Sequence, residues 1–64
     1  MVIVNGKERT LEGLTLAELL AKDAYQVDRV VVELNGQIIP PGAYSSTQVS
    51  AGDQVEIVSF VGGG

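Results

Sequence analysis

The chain contains neither cysteine nor histidine in its 64 residues. Without cysteine there is no disulfide framework and no zinc–thiolate site to prop up a small fold. Without histidine the commonest general base and the commonest imidazole metal ligand are both missing. Positive charge is also scarce: Lys7, Arg9, Lys22 and Arg29 stand against eight acids, for a formal net charge of −4. These four are scattered and form no basic stripe that could track phosphates, so no nucleic-acid partner is expected. Long apolar runs are lacking as well. The opening "MVIVNGKERT" has no charged leader and too short an apolar stretch for a signal peptide or a membrane span, which predicts a cytoplasmic protein with no membrane partner. Paired acids such as Asp23 with Asp28, or Glu8 with Glu12, are the nearest the chain comes to the two carboxylates of a hydrolase. Helix and hairpin surfaces carry such charges routinely, and so short a chain has no second layer with which to build a cleft. No enzyme, catalytic residue or metal site is expected.

What is present reads as one small globular domain. Hydrophobic residues make up 45% of the chain, enough for a core, although a domain of this size buries only about 60% of its unfolded surface. "VIVN" and "GKERTLE" are strand-like runs joined at Asn5-Gly6, and Asn-Gly tolerates the positive φ angles of a tight hairpin turn. In "LTLAELLAKDA", Thr15 and Glu18 have the spacing of a capping box, and Leu14 and Leu19 that of a hydrophobic staple. Leu16, Leu19, Leu20 and Ala24 share one face, so an amphipathic helix is predicted from about Leu16 to Asp23. "RVVVELN" is a β-branched run ending at a second Asn-Gly, Asn35-Gly36, after which "QII" resumes as a short strand. Pro40-Pro41-Gly42 marks an edge or loop. "AYSSTQVSAGD" reads as an irregular connection closed by a turn at Gly52-Asp53. "QVEIVSFV" is the last strand. This order predicts an α+β domain: one mixed sheet of four or five strands with a single helix across one face.

Alternation in the last strand puts Val55 and Ile57 toward the helix and Glu56, Val58 and Phe60 on the opposite, solvent-facing side. Val58 and Phe60 are either isolated surface hydrophobes or the apolar part of a docking site. After Val61 come Gly62, Gly63 and Gly64. Ordering each glycine costs roughly 0.5–1 kcal/mol more than ordering alanine, so a tail selected for tight packing would not use three. Passage into a narrow space explains them better, since they have no Cβ to clash with its walls. Three extended residues span roughly 10 Å, enough to insert a terminal carboxylate while the domain stays outside. That carboxylate is a poor electrophile at neutral pH and must be activated by another enzyme, most simply as an acyl-adenylate made from ATP, in a site that excludes water.

The succession "VIVNGK", "TLAELL", "VVELNGQIIP", Tyr44 and "AGDQVEIVSFVGGG" resembles the ubiquitin-like β-grasp sulfur carriers, and among them the ThiS-type carriers of thiamine biosynthesis. The resemblance covers the whole chain, and its most specific part is the Gly-Asp turn, strand and terminal glycines in succession. Pro41 stands where a basic residue is common in the family, and Ala51 precedes the Gly-Asp turn in place of an acid. The resemblance implies a β-grasp domain over residues 1–60 and a flexible glycine tail over 61–64. It implies that Gly64 is adenylated by a ubiquitin-activating-like enzyme of the ThiF type, with ATP as that enzyme's substrate and no cofactor bound to the carrier itself. A persulfide sulfur would displace AMP to leave a C-terminal thiocarboxylate, and a ThiG-type thiazole synthase would take that sulfur. Gly62 and Gly63 would thread the tail, and Val58, Phe60 and Val61 would touch the partner. The chain would then be a cosubstrate and no catalyst. The alternatives are a carrier of another pathway, such as the small subunit of molybdopterin synthase, and a β-grasp binding module with no need of a free C-terminus.

Overall fold

The computed structural model of the chain describes residues 1–60. The expectations for the 61–64 tail, including those for Val61, Gly62, Gly63 and Gly64, lie outside the described residues. A first hairpin joins β1 (Val2–Val4) to β2 (Lys7–Arg9) and is followed by α1 (Leu16–Lys22). A second hairpin joins β3 (Val30–Leu34) to β4 (Gln37–Ile39), and β5 (Gln54–Ser59) closes the described chain. The five strands form one sheet in the order β2-β1-β5-β3-β4. Only β1 and β5 pair in parallel, through Ile3 with Gln54 and Val4 with Val55; the other neighbours are antiparallel. The last strand therefore lies in the centre, between the two hairpins.

Both hairpins turn where Asn-Gly predicts. Asn5 and Gly6 have φ of 49° and 82°, and Asn35 and Gly36 have 51° and 85°. The left-handed region is where asparagine and glycine pay the least steric penalty. The first hairpin is shorter than the sequence reading: strand structure ends at Arg9, and Leu11 of "TLE" instead turns into the core.

The helix begins with the expected capping box. Glu18 N–H donates to Thr15 Oγ1 at 3.1 Å and Thr15 N–H donates to Glu18 Oε1 at 2.8 Å, so each residue satisfies an orphan donor of the first turn. Leu16, Leu19 and Leu20 are fully buried against Val2, Val32, Val55 and Ile57, with half-buried Leu14 packed at the margin of the same cluster.

The other end of the helix corrects the sequence reading. The helix stops at Lys22 with Asp23 as its C-cap, and Ala24, expected on the buried face, is exposed with φ of 61°. Ala24 N–H donates to Ala21 O at 3.1 Å and Tyr25 N–H to Leu20 O at 2.9 Å. These two bonds make a Schellman close, with alanine in the left-handed position that glycine usually fills.

The connection after β4 is also more regular than expected. Pro41–Ser46 form a 3-10 helix with Pro41 in its first turn, where a missing N–H costs nothing. That helix presses Tyr44, 3% exposed, into the core.

Candidate docking face and the exit of the last strand

Strand β5 carries the chain toward the tail, and its alternation is as the sequence predicts. Val55 and Ile57 are buried under the helix, Glu56 and Val58 point the other way, and Phe60, just past the strand, is exposed. Val58 is 55% exposed and Phe60 50%, too much for either to belong to a core. Phe60 lies just past the strand, held by its N–H to Arg29 O at 3.1 Å. The described chain therefore ends beside the start of β3, where Ser59 pairs with Val30.

Two asparagines anchor this strand in a way the sequence does not announce. Beyond its turn role, Asn5 reaches across to β5. Ile57 N–H donates to Asn5 Oδ1 at 2.7 Å, and Asn5 Nδ2 donates to Ile57 O at 3.2 Å. A side-chain amide thus continues the β1–β5 ladder after the β1 backbone has turned away. On the other flank, Gln54 N–H donates to Asn35 Oδ1 at 2.9 Å, and Asn35 Nδ2 donates to Asp53 Oδ1 at 3.1 Å. Asp53 also accepts from Ser50 N–H at 2.8 Å, which closes the turn in which Gly52 has φ of 89°. The Gly-Asp pair is thereby given its physical reason. Glycine supplies the left-handed residue, and aspartate ties the turn to Asn35 at the start of the strand.

The register defines the whole open face. Val31 lies opposite Val58, Glu33 opposite both Glu56 and Ile38, and Ile3 beside Gln54 and opposite Glu8. Ile38, 68% exposed, extends the apolar part of the face onto β4. The sequence reading missed Ile38 because two adjacent isoleucines cannot be assigned to opposite faces without the register, which here half-buries Ile39 and exposes Ile38. Val58 and Ile38 share the side of the sheet that α1 leaves uncovered, and exposed Phe60 lies just beyond the end of β5.

Two of the acids considered for a hydrolase, Glu12 and Asp23, are engaged with cationic partners. Glu12 accepts from the Met1 α-ammonium at 2.9 Å, an interaction that lowers its carboxyl pKa. Asp23 takes both guanidinium nitrogens of Arg9, at 2.6 and 3.0 Å, which joins the end of the helix to β2. No cavity and no cluster of three metal-ligating side chains occurs among the described residues. Among the described residues no helix is long and apolar enough to cross a membrane.

The Arg9 hydrogen bond holds the Asp23 carboxyl below its ordinary value, with the charges of Arg9 and Lys22 assisting and desolvation opposing. A depressed carboxyl stabilises the fold fully above the unfolded pKa of about 3.9 and loses that contribution as pH falls through the folded value. Asp23→Asn should therefore lower the urea midpoint at pH 7 and flatten its decline below about pH 4. Parallel curves for parent and variant across that window would remove Asp23 from the acid response.

A mixed five-stranded sheet grasping one helix, with β5 in its centre, defines a ubiquitin-like β-grasp domain. The ThiS family model matches residues 2–64, and the chain belongs to that family. It superposes on the crystal structure of the thiamine biosynthesis protein ThiS from Geobacter metallireducens with a TM-score of 0.80 and 43% identity, covering 98% of this chain and 97% of that one. It is 36% identical over 64 residues to the sulfur carrier protein ThiS of Thermus thermophilus, covering 100% of each. It is also 38% identical over 64 residues to a thiazole synthase of Paramagnetospirillum magneticum. The chain spans only 20% of that protein, and 19% of a second thiazole synthase, from Magnetococcus marinus.

Proposed function

We propose that the chain is a sulfur carrier of thiamine biosynthesis whose Gly64 carboxylate is the working group. The observation that carries this reading is the family match running through residue 64, the glycine tail included. The fold supports it: β5, the strand that precedes the tail in sequence, is gripped on both flanks by Asn5 and Asn35. The carboxylate attacks the α-phosphorus of ATP on an adenylating partner enzyme, releasing pyrophosphate and forming an acyl-adenylate. A persulfide sulfur then attacks the acyl carbon and AMP leaves. Cleavage of the resulting S–S bond by a thiol frees the thiocarboxylate. None of these steps needs a side-chain nucleophile on the carrier, which accords with a chain without cysteine or histidine.

Thiazole synthase is the consumer of the sulfur in this reading, supported by two proteins of that name that each contain a stretch similar to nearly all of this chain. The carrier meets its partners through the open face around Val58 and Phe60, continuing into Val61, with Gly62 and Gly63 threading the tail. Reconstitution tests the assignment. With the adenylating enzyme, ATP, a persulfide donor and thiazole synthase from the same organism, thiazole should form in proportion to the carrier supplied. Thiazole formation at the same yield without the chain would contradict the assignment. So would sulfur transfer to the large subunit of molybdopterin synthase in place of thiazole synthase.

A further inference from the structure

The open face is not uniformly apolar. Glu33 on β3 and Glu56 on β5 are directly opposed in the antiparallel register. They sit in the row that also contains Ile38 and next to the row formed by Val31 and Val58. Opposed side chains have Cβ atoms about 5 Å apart, and like charges so placed destabilise a sheet. Neither glutamate forms an ion pair among the described residues; the ion pairs there belong to Met1 with Glu12 and Arg9 with Asp23. The chain's own cations are placed elsewhere. Lys7 and Arg9 are in register with helix-facing Val4 and Val2, Lys22 is on α1, and Arg29 lies in the turn before β3. Glu33 and Glu56 thus stand opposite each other, without an ion pair among the described residues, on the face of the sheet that also carries Val58 and Ile38, with exposed Phe60 just past the end of β5.

We propose that the Glu33–Glu56 pair makes this face selective for a protein partner bringing an arginine surrounded by apolar side chains, and bars a second copy of the chain from the same surface. This rests on the reading that partners dock on the open face. Covering two carboxylates without a counter-charge is costly. A planar guanidinium has forked donors on both edges and can serve two carboxylates at once, which an ammonium does less well. The surrounding valines, isoleucine and phenylalanine then exclude water from that contact and strengthen it. A two-fold dimer through the same face would instead bring four carboxylates together, on a chain already at −4. The pair costs some folding stability and in return discriminates between partners.

The test uses the full chain with thiazole synthase and with the adenylating enzyme of the same organism, comparing parent, the double variant Glu33→Gln/Glu56→Gln, and Phe60→Ala. The double variant should bind at least one of the two enzymes about 10- to 100-fold more weakly, with a flatter dependence on salt. Its unfolding midpoint should be equal to or above the parent's, because like-charge repulsion is relieved. By sedimentation equilibrium the parent should be monomeric, and the double variant should gain self-association at high concentration. Parent-like affinity and salt dependence of the double variant for both enzymes, with Phe60→Ala impaired, would overturn the role of the carboxylates and leave the docking face in place. Parent-like binding by Phe60→Ala as well would remove the docking face and this proposal together. A parent that dimerises through this face would overturn the proposal directly.

Discussion

Leu20→Ala should cost about 2–5 kcal/mol of stability, the range for emptying a fully buried leucine site. Leu20 has no exposed surface and is held in the cluster between the helix and the sheet, with Leu16 and Leu19 beside it. A chain of 64 residues has roughly 3–10 kcal/mol of stability in total at the usual 0.05–0.15 per residue. One truncation therefore removes a large share of the whole. The core has few means of compensating, since it has no disulfide and, among the described residues, a single α-helix to repack. Equilibrium urea unfolding of the parent and variant checks this; a midpoint that barely moves would mean that the helix does not depend on that contact.

The second large effect is functional and leaves the fold untouched. Extending the chain by one residue beyond Gly64 should abolish adenylation, because the acyl carbon would then be an amide and the new carboxylate would lie one residue too far along the tunnel. Stability should not change, because the described core is made entirely of residues from Val2 to Ile57. ATP–pyrophosphate exchange on the adenylating enzyme reports the first step, and thermal melting reports the second. Exchange at the parent rate with the extension still attached would show that the carboxylate of Gly64 is not the group activated, and would favour a β-grasp module that acts by binding alone.

Much of the fold was legible because its signals are local. Each Asn-Gly turn, the Thr15–Glu18 capping box and the alternation of Val55 and Ile57 require only a few adjacent residues, and each appears where the pattern puts it. The parallel pairing of β1 with β5 was not legible at the level of register, because Val4 and Val55 lie at opposite ends of the chain and no local pattern links them. The helix ends within a residue of its expected bound, but the burial of Ala24 was misread for a related reason. Ala24 has good helix propensity and the right periodicity, but the chain must turn there to let Asp23 meet Arg9 and Tyr25 pack against the core. The open face of the sheet was half legible. Val58 and Phe60 stand out in a strand with strict alternation, whereas Ile38 and the opposition of Glu33 to Glu56 exist only once three strands are in register. Asn5 and Asn35 were recognised as turn formers, and their second task of bonding Ile57 and Gln54 depends on distant backbone that the turn signal does not mention.

The central claim is that the C-terminal carboxylate of Gly64 carries sulfur. The most direct measurement is intact mass of the chain after incubation with the adenylating enzyme, ATP and a persulfide donor, followed by fragmentation of the product. The account predicts a gain equal to exchange of one oxygen for one sulfur, placed by the fragments on Gly64 alone and absent when ATP is omitted. An unchanged mass with a competent adenylating enzyme, or sulfur located on any other residue, would contradict it.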